Sequence, residues 1–296
     1  MNLLSTDDAM DAWPLACPVC EAGLRRKQGA LVCPAGHSFD VAREGYVNLL
    51  PPQHRIRGID GDVPAMLQAR RRFLEAGHYR PLLEKLTAQV ADSLHDRDVR
   101  GLGSTHGACV LEVGCGEGYY VGHLANDLRG AGSAAEFVGA DLSKSAARLA
   151  AKHYPETTFI VADVHRRIYL QDSRVSVLLD VFAPRNPVEF ARIVEPGGTV
   201  LIVIPSALHL GNLRTELGLL DIQAGKETRV LEQLGDEFRL ADRSELSFPI
   251  ALHADAVSDL VEMGPNHWHR PEGSAFADGD AVTTLASFVI LRLERH

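Results

Sequence analysis

Three cysteines and one histidine near the start of the chain have the spacing of a metal site. Cys17, Cys20, Cys33 and His37 form the pattern C-x2-C-x12-C-x3-H, in which each close pair can reach one ion from a short turn. Thiolate and imidazole are donors that suit zinc in a reducing compartment. Since protein fills all four positions of a tetrahedral site, we predict a closed, structural zinc centre.

A glycine-rich loop near the middle of the chain is a second candidate for chemistry. The stretch VLEVGCGEGYY places Gly114, Gly116 and Gly118 between an apolar strand and a helix, where glycine lets the backbone approach a ligand closely. Asp141 closes the next strand, and its carboxylate can accept hydrogen bonds from ribose hydroxyls. A nucleotide-like cofactor is therefore predicted, although strand-end acids also cap helices in purely structural turns.

Two details of this loop favour S-adenosylmethionine over a dinucleotide. Glu112, just before the glycines, suits a positively charged sulfonium and amino group better than a pyrophosphate. The third glycine follows the second by two residues, whereas the dinucleotide fingerprint spaces them by three. Asp163, at the end of the third strand, is a candidate partner for the adenine amino group.

The residues around the loop predict an α/β architecture. From residue 108 onward, apolar strand-like runs alternate with helical patterns, which is typical of a parallel sheet with helices on both faces. We expect strands over 108–114, 136–142, 157–164, 175–184 and 199–205, and helices over 119–128, 143–154 and 188–198, the last one stopped by Pro-Gly-Gly. The tail is predicted to add one helix over 254–263 and a last strand over 285–294.

Composition and punctuation divide the chain into four parts. We predict a flexible leader over 1–16, a zinc-binding module over 17–50, a linker with helices over 51–107 and the cofactor-binding domain over 108–296. Gly77 and Pro81 interrupt the helical pattern after the linker, so we expect two helices there.

The overall composition of the 296 residues is that of a globular protein. Apolar residues make up 46% and charged residues 23%, and no run of about 18 apolar residues is present to span a membrane. The first 16 residues carry three acids before any basic residue, so we expect no secretory signal and a cytoplasmic location. Five cysteines, an odd number, argue against a disulfide framework, and we expect Cys109 and Cys115 to be ordinary buried side chains.

The net charge of −9 disfavours a nucleic-acid partner, but its distribution is uneven. Between Cys17 and Arg80 the sequence holds ten Lys and Arg against six Asp and Glu. This balance permits a local basic face for an anionic polymer, and it equally permits a surface with scattered charges.

The zinc pattern, EGYVNLL, QARRRFLEAGHY and VLEVGCGEGYY occur in an order that resembles the RlmA family of bacterial 23S rRNA (guanine-N1)-methyltransferases, which includes tylosin-resistance enzymes. The likeness runs from Cys17 to about His209 and weakens in the last third. It implies a class I S-adenosylmethionine-dependent methyltransferase (Rossmann-like) domain with a small N-terminal zinc-binding module. It also implies a 23S rRNA hairpin as substrate, homodimerisation and a link to macrolide resistance.

The resemblance also assigns residues. The four metal-site residues match its structural zinc ligands, and the positions that match its cofactor contacts are Tyr79, Gly116, Glu117 and His209. Asp141 matches the ribose-binding acid of class I enzymes, and Asp163 fits the wider methyltransferase pattern. Asp180, at the end of the fourth strand, is a candidate for the base that removes the N1 proton, although an aspartate there is often a cap.

The basic segments have two interpretations. Arg25, Arg26 and Lys27 in the zinc module are expected to form one wall of an RNA-binding cleft. The run Arg70–Arg72 either extends that basic face or is simply a charged helix surface.

Other functions remain open on the sequence alone. One alternative is a small-molecule methyltransferase whose zinc only stabilises the N-terminal module, and another is a zinc-dependent RNA-binding protein without turnover. Within the resembling family, two neighbouring guanines are alternative targets.

Overall fold

The zinc-pattern segment folds as a small antiparallel sheet. The computed structural model describes residues 13–52, 61–101, 107–223, 225–269 and 281–296. Strands β1 (Arg25–Lys27), β2 (Ala30–Val32) and β3 (Ser38–Asp40) pair in the order β1-β2-β3. Gly29, with a φ of +83°, makes the tight turn between the first two strands.

The other eight strands form a second, larger sheet. Its strands β4 to β11 are Val47–Asn48, Cys109–Val113, Glu136–Asp141, Thr158–Val161, Val175–Val181, Val194–Pro205, Phe238–Leu252 and Val282–Arg295. They lie in the order β10-β11-β9-β8-β5-β6-β7-β4, and β4 to β9 all pair in parallel. The last two strands are antiparallel to their neighbours. The chain reverses its direction of progress across the sheet between β5 and β8, which is where such sheets bind ligands.

Helices cover both faces of this sheet, as the alternating pattern predicted. Helices α1 to α8 are Pro64–Glu75, Arg80–Val99, Tyr119–Gly130, Lys144–His153, Pro187–Ile193, Gly211–Leu217, Lys226–Leu234 and Ala254–Glu262, and a 3-10 helix follows over Pro265–His269. One buried cluster packs α1, α2, α3, α4, α6 and α8 against one face of the sheet. A second cluster packs α5 and α7 against the other face. Gly77, with a φ of +84°, separates α1 from α2, so the prediction of two helices is confirmed.

The zinc module shares the second core cluster with the large sheet. Leu15, Leu24 and Leu31 are completely buried and belong to the same cluster as Leu111 of β5 and Ile160 of β7. Strand β4, which follows the module, pairs in parallel with β7 at the edge of the large sheet. The module is therefore built onto the sheet and is not a separate globule.

Three sequence-based expectations differ from the structure. The predicted flexible leader is too long, because Leu15 is buried and forms a β-bridge with Leu170. Residues 1–12 of the leader and 53–60 of the predicted linker lie outside the described residues. Helix α5 ends at Ile193, three residues before Pro196, because Val194 already begins β9. The tail contains α6, α7 and the 15-residue strand β10 in addition to the expected helix and strand.

Strand β10 was missed because of its composition. It lies at the edge of the sheet, most of its residues are at least partly exposed, and its sequence is rich in charged and small polar residues. An edge strand with few buried side chains lacks the apolar run that marks the central strands.

Within the described residues, no helix combines the length and the apolar character that crossing a bilayer requires.

Packing around α3 gives a test of the fold. A β-carbon at Gly122 would overlap the buried ring of Tyr154, whereas a β-carbon at Gly130, in the same helix, would meet nothing within 4 Å. We expect Gly122→Ala to lower the free energy of unfolding by about 1–3 kcal/mol through overpacking. The matched variant Gly130→Ala should be neutral or stabilising by up to ~1 kcal/mol, because alanine favours the helix. Urea unfolding followed by circular dichroism measures both, and equal stabilities would contradict this packing.

Candidate active site and zinc centre

The four residues of the metal pattern converge at one point. Their ligand atoms all lie within 4.8 Å of one another, with Cys20 Sγ 3.6 Å from Cys33 Sγ and His37 Nδ1 3.3 Å from Cys33 Sγ. Two thiolates on one tetrahedral zinc ion lie roughly 3.8 Å apart, given zinc–sulfur bonds of about 2.3 Å. Backbone N–H groups of Val19 and His37 point at Cys17 Sγ and Cys33 Sγ. The donor set and its spacing fit a structural zinc ion.

The first strand beside this centre is basic and exposed. Arg25, Arg26 and Lys27 form β1, and all three are exposed. The Arg26 guanidinium lies 5.9 Å from the centre of the Trp13 ring, a cation–π contact that restrains it. A salt bridge of 3.0 Å between Glu21 and Arg167 joins the zinc module to the segment after β7.

A cavity of about 930 Å³ opens at the carboxyl ends of the parallel strands. This volume is at the upper end of the range of roughly 300–1,000 Å³ for ligand pockets. The predicted cofactor residues that line it are Tyr79, Glu112, Gly114, Glu117, Asp141, Asp163 and His209. Gly116 and Gly118 belong to the same loop, although they are not among the lining residues.

The glycine loop adopts a conformation that side chains would oppose. Gly114, Gly116 and Gly118 have φ values of +62°, +56° and +82°. A β-carbon at Gly114 would lie 2.6 Å from the β-carbon of Ala183, and one at Gly118 would lie 2.8 Å from that of Ala150. The loop therefore needs glycine for both its dihedral angles and its close contacts.

Asp141 holds the glycine loop in place through hydrogen bonds. Its Oδ2 accepts a hydrogen bond of 2.8 Å from the N–H of Gly116, and its Oδ1 accepts one of 2.7 Å from the N–H of Ser143. Each oxygen keeps a further lone pair, so the carboxylate can still accept hydrogen bonds from a ligand in the cavity. Asp163 also faces the cavity, and its Oδ1 accepts from the N–H of His165 at 3.0 Å.

Two glutamates give the cavity an unusual electrostatic character. Glu112 Oε2 accepts a hydrogen bond of 2.9 Å from the N–H of Val121, so this side chain also anchors the start of α3. Burial raises the pKa of Glu112 to about 8. Burial also raises the pKa of Glu117 to about 7, against the lowering effect of Arg70. Both Glu117 oxygens are buried without a hydrogen-bond partner among the described residues.

The unpartnered Glu117 carboxylate suits a ligand that brings a cation. S-adenosylmethionine carries an amino group and a sulfonium, both of which a buried carboxylate attracts strongly. The side chains present thus fit this cofactor, with the acids available for its positive groups and Asp141 available for its ribose.

Tyr79 and His209 form a hydrogen-bonded pair at one side of the cavity. His209 Nδ1 accepts from the N–H of Ser287 at 3.1 Å, and His209 Nε2 lies 3.3 Å from the Tyr79 hydroxyl. Burial lowers the pKa of His209 to about 4, so the ring is neutral and its proton sits on Nε2. His209 therefore donates to Tyr79, and the hydroxyl proton of Tyr79 is left for a ligand in the cavity.

Two further cavity residues were missed from the sequence. Arg70 lies over the glycine loop, with its Nη1 2.9 Å from where a β-carbon of Gly116 would be. The Tyr120 hydroxyl is buried without a hydrogen-bond partner among the described residues. Helical spacing alone cannot separate such residues from ordinary core or surface positions, because the cavity is formed by segments far apart in the chain.

The run Arg70–Arg72 does not form a free basic face. Arg70 pairs with Asp62 at 2.6 Å, Arg71 pairs with Glu75 at 3.0 Å, and Arg72 pairs with Asp259. Ion pairs within the protein therefore account for all three arginines, and Arg70 in addition lines the cavity.

Asp180 is the second-last residue of β8 and is completely buried; it is not itself among the lining residues of the cavity, whereas Val181, Phe182 and Ala183 are. Its Oδ1 accepts a hydrogen bond of 3.0 Å from the N–H of Ala183, whereas its Oδ2 has no hydrogen-bond partner among the described residues. Arg185 Nη1 lies 3.8 Å from Oδ2. Burial raises the pKa of Asp180 to about 7, despite the opposing effect of Arg185.

Comparison with known proteins gives one match for the zinc module and one for the domain that contains the glycine loop. A family model described as "RlmA, N-terminal", a zinc ribbon, matches residues 15–56, and a "Methyltransferase domain" model matches residues 110–198. The 23S rRNA (guanine(748)-N(1))-methyltransferase of Streptomyces fradiae is 40% identical over 256 residues, covering 86% of each chain.

Two further proteins extend the comparison. A relative from Micromonospora griseorubida, named for 23S rRNA (guanine-N(1)-)-methyltransferase activity, is 40% identical over 295 residues and covers 95% of this chain and 96% of its own. Among solved structures, the YcgJ protein from Bacillus subtilis aligns with a TM-score of 0.43 at 14% identity, over 64% of this chain and 92% of that one.

The shared core predicts that zinc supports the whole fold. We expect Cys33→Ser to lose the zinc ion and to lower the melting temperature of the entire protein, because Leu24 and Leu31 pack against the large sheet. The control His37→Cys keeps four ligands and should retain zinc with a similar melting temperature. Elemental analysis and thermal unfolding measure the two quantities. Loss of zinc with unchanged melting would show that the module does not support the sheet.

The raised pKa of Glu117 predicts pH-dependent cofactor affinity. Below a pH of about 7 the carboxyl group is protonated and neutral, so it attracts a cation weakly. We expect affinity for S-adenosylmethionine to rise as the pH increases from 6 to 8. Glu117→Gln, which mimics the neutral form, should bind roughly ten-fold or more weakly than wild type at pH 8, with a smaller difference at pH 6.

Isothermal titration calorimetry across this pH range provides the measurement. The ligand's own amino group ionises identically with both proteins, so the difference between wild type and Glu117→Gln isolates the carboxylate. Parallel pH profiles for the two proteins would mean that Glu117 does not contact the positive groups of the cofactor.

Proposed function

Because the chain belongs to the RlmA family of S-adenosylmethionine-dependent 23S rRNA (guanine-N1)-methyltransferases, we propose that it methylates N1 of a guanine in a hairpin of 23S rRNA. The observation that carries the proposal is the contact between two loops at the cavity. Gly114 of the glycine loop packs directly against Ala183, three residues after Asp180. A methyl donor on the first loop and an acceptor base beside the second would then be neighbours.

The bound cofactor supplies an electrophilic methyl group on a sulfonium. The residues of this chain must orient the acceptor and accept its proton. We assign the second task to Asp180, whose Oδ2 is buried and lacks a hydrogen-bond partner among the described residues. Asp180 Oδ2 would accept the N1 proton when the methyl group passes from the sulfonium to N1 and the cofactor leaves as a neutral thioether. A pKa of about 7 lets this carboxylate act as a base near neutral pH.

Positioning of the donor is proposed for other residues that line the cavity. Asp141 would accept hydrogen bonds from the ribose hydroxyls, and Asp163 would meet the adenine amino group. Glu117, Tyr79 and His209 would surround the methionine portion of the cofactor, consistent with their unpaired carboxylate and available hydroxyl proton.

The zinc module is proposed to hold the RNA beside the cavity. Its exposed β1 strand offers Arg25, Arg26 and Lys27 to phosphates. The salt bridge between Glu21 and Arg167 ties the module to the segment that contains Asp163 and His165, two residues of the cavity wall. RNA bound along β1 would thus lie close to the cavity.

We add four finer proposals, of which only the target guanine is suggested by a relative's name. We propose the guanine that corresponds to position 748, as in the Streptomyces fradiae enzyme's name, with the neighbouring guanine as the alternative target. A methylated guanine there could confer tylosin resistance on a sensitive host, which growth in tylosin would test. We also propose that the protein forms a homodimer, which light scattering would test. Finally, we propose that it resides in the cytoplasm with the rRNA.

Methylation of unmodified 23S rRNA by the purified protein tests the function. Incubation with S-adenosylmethionine should create one new stop in reverse transcription, because a methyl group on N1 blocks base pairing. The position of the stop distinguishes the two guanines. No stop on naked RNA or precursor particles, together with transfer to a small molecule, would favour the alternative methyltransferase. Retained RNA binding without any transfer would favour a binding protein.

The same assay tests the base. Asp180→Asn keeps an oxygen for the N–H of Ala183 but cannot accept the N1 proton. We expect kcat to fall roughly 10²–10⁴-fold, with the affinity for cofactor and RNA maintained. The wild-type kcat should increase with pH up to about 7 and then level off, as Asp180 ionises. If kcat of Asp180→Asn stayed within two-fold of wild type, the proton would have to leave by another route.

A further inference from the structure

Phe182 has an exposed aromatic ring in a backbone conformation that aromatic residues avoid. It directly follows β8, its φ is +60°, and it is 42% exposed. The left-handed region is unfavourable for a residue with a β-carbon, and such strain is concentrated at functional sites. An ordinary turn at this position would be built with glycine, as in the neighbouring glycine loop.

The surrounding structure holds the strained residue in place. The N–H of Phe182 donates to the carbonyl of Val203 at 3.2 Å, and the next N–H, that of Ala183, donates to Asp180. Ala183 in turn packs against Gly114. The conformation of Phe182 is therefore tied to both the base candidate and the glycine loop.

The ring lies beside the aromatic residues that are proposed to surround the methionine portion of the cofactor. Phe182 lines the cavity, and its ring centre is 5.5 Å from that of Phe288 at an angle of 41°. Phe288 also contacts the rings of Tyr79, at 5.1 Å, and His209, at 4.8 Å. Phe182 is thus supported on one side by this aromatic cluster and is open to solvent elsewhere.

The polar groups near the ring complement a guanine. N1 of guanine needs a proton acceptor, the role proposed above for Asp180, which lies two residues before Phe182 and whose Oδ2 is buried without a hydrogen-bond partner among the described residues. The carbonyl oxygen O6 gains negative charge as N1 loses its proton, and it needs a cationic donor. Lys226 lines the same cavity, its charge acts on Asp180, and it has no hydrogen-bonded or ion-paired partner among the described residues.

From this geometry we propose that Phe182 is the stacking platform for the acceptor guanine. The guanine leaves its RNA helix and lies on the Phe182 ring, with its N1 towards Asp180. The inference rests on the proposed function, since it names the subsite for that substrate. Single-stranded bases are commonly held on aromatic side chains, because every base has a π-face. A base that must leave a paired hairpin needs such a surface to replace its lost stacking.

Steady-state kinetics with the hairpin RNA and a set of variants at this position test the proposal. Phe182→Ala removes the ring and keeps the strained backbone, whereas Phe182→Gly removes both the ring and the strain. We expect both to raise KM for RNA, or lower kcat/KM, roughly ten-fold or more. Phe182→Tyr and Phe182→Trp keep a stacking surface and should remain within about three-fold of wild type.

Two controls make the result specific. Val188→Ala removes an exposed apolar side chain of the same segment that does not line the cavity, and it should behave as wild type. Binding of S-adenosylhomocysteine, measured by calorimetry, and melting temperature should be unchanged in every Phe182 variant.

Several outcomes would overturn the proposal. Normal kinetics of Phe182→Gly would mean that the ring is not needed, and weaker S-adenosylhomocysteine binding in step with the loss of activity would mean that the ring contacts the cofactor. If wild-type protein leaves the RNA unmethylated, the proposed function is wrong, and the stacking role, which rests on it, is rejected as well. Methylation by wild type with full activity of Phe182→Ala would reject the stacking role alone.

Discussion

The structure depends on the close approach of two loops that meet where a side chain is missing. Gly114 has room for a hydrogen atom only, because Ala183 occupies the space of a β-carbon. This contact brings the ends of β5 and β8 together at the point where the sheet reverses its strand order. Asp141 holds one loop through the N–H of Gly116, and Asp180 holds the other through the N–H of Ala183. The methyl donor and its acceptor can therefore share a single cavity.

Burial of acids gives this cavity its chemical character. Removing carboxylates from water raises their pKa values, so Glu112, Glu117 and Asp180 can each exist as neutral acids near physiological pH. A cationic ligand favours the ionised form of the acids it meets, whereas a carboxylate that faces an acceptor base is ready to take a proton. The same physical effect thus supports both the proposed binding of the cofactor and the proposed removal of the proton.

Sequence patterns predicted the parts of this arrangement that depend on local chemistry. The metal ligands follow from residue type and spacing, and the strand, glycine loop and acid that follow one another from residue 108 to 141 predicted the central fold and its cofactor. The β10 strand, the pairing of Arg70–Arg72 with acids and the positive φ of Phe182 could not be predicted. Each depends on neighbours distant in the chain: a strand partner at residue 282 and beyond, an acid at Asp259, and a backbone hydrogen bond to Val203.

The hydrogen bond that fixes the tautomer of His209 determines when the site is completed during synthesis. Its Nδ1 is held by the N–H of Ser287, in a strand inserted between β9 and β10. During synthesis the glycine loop, the acids and Tyr79 all leave the ribosome before this strand exists. The hydrogen bond that orients His209 towards Tyr79 can therefore form only after β11 has emerged and paired with β9. Removal of β11 would release the His209 ring and so disturb the cavity at a distance from the deleted residues.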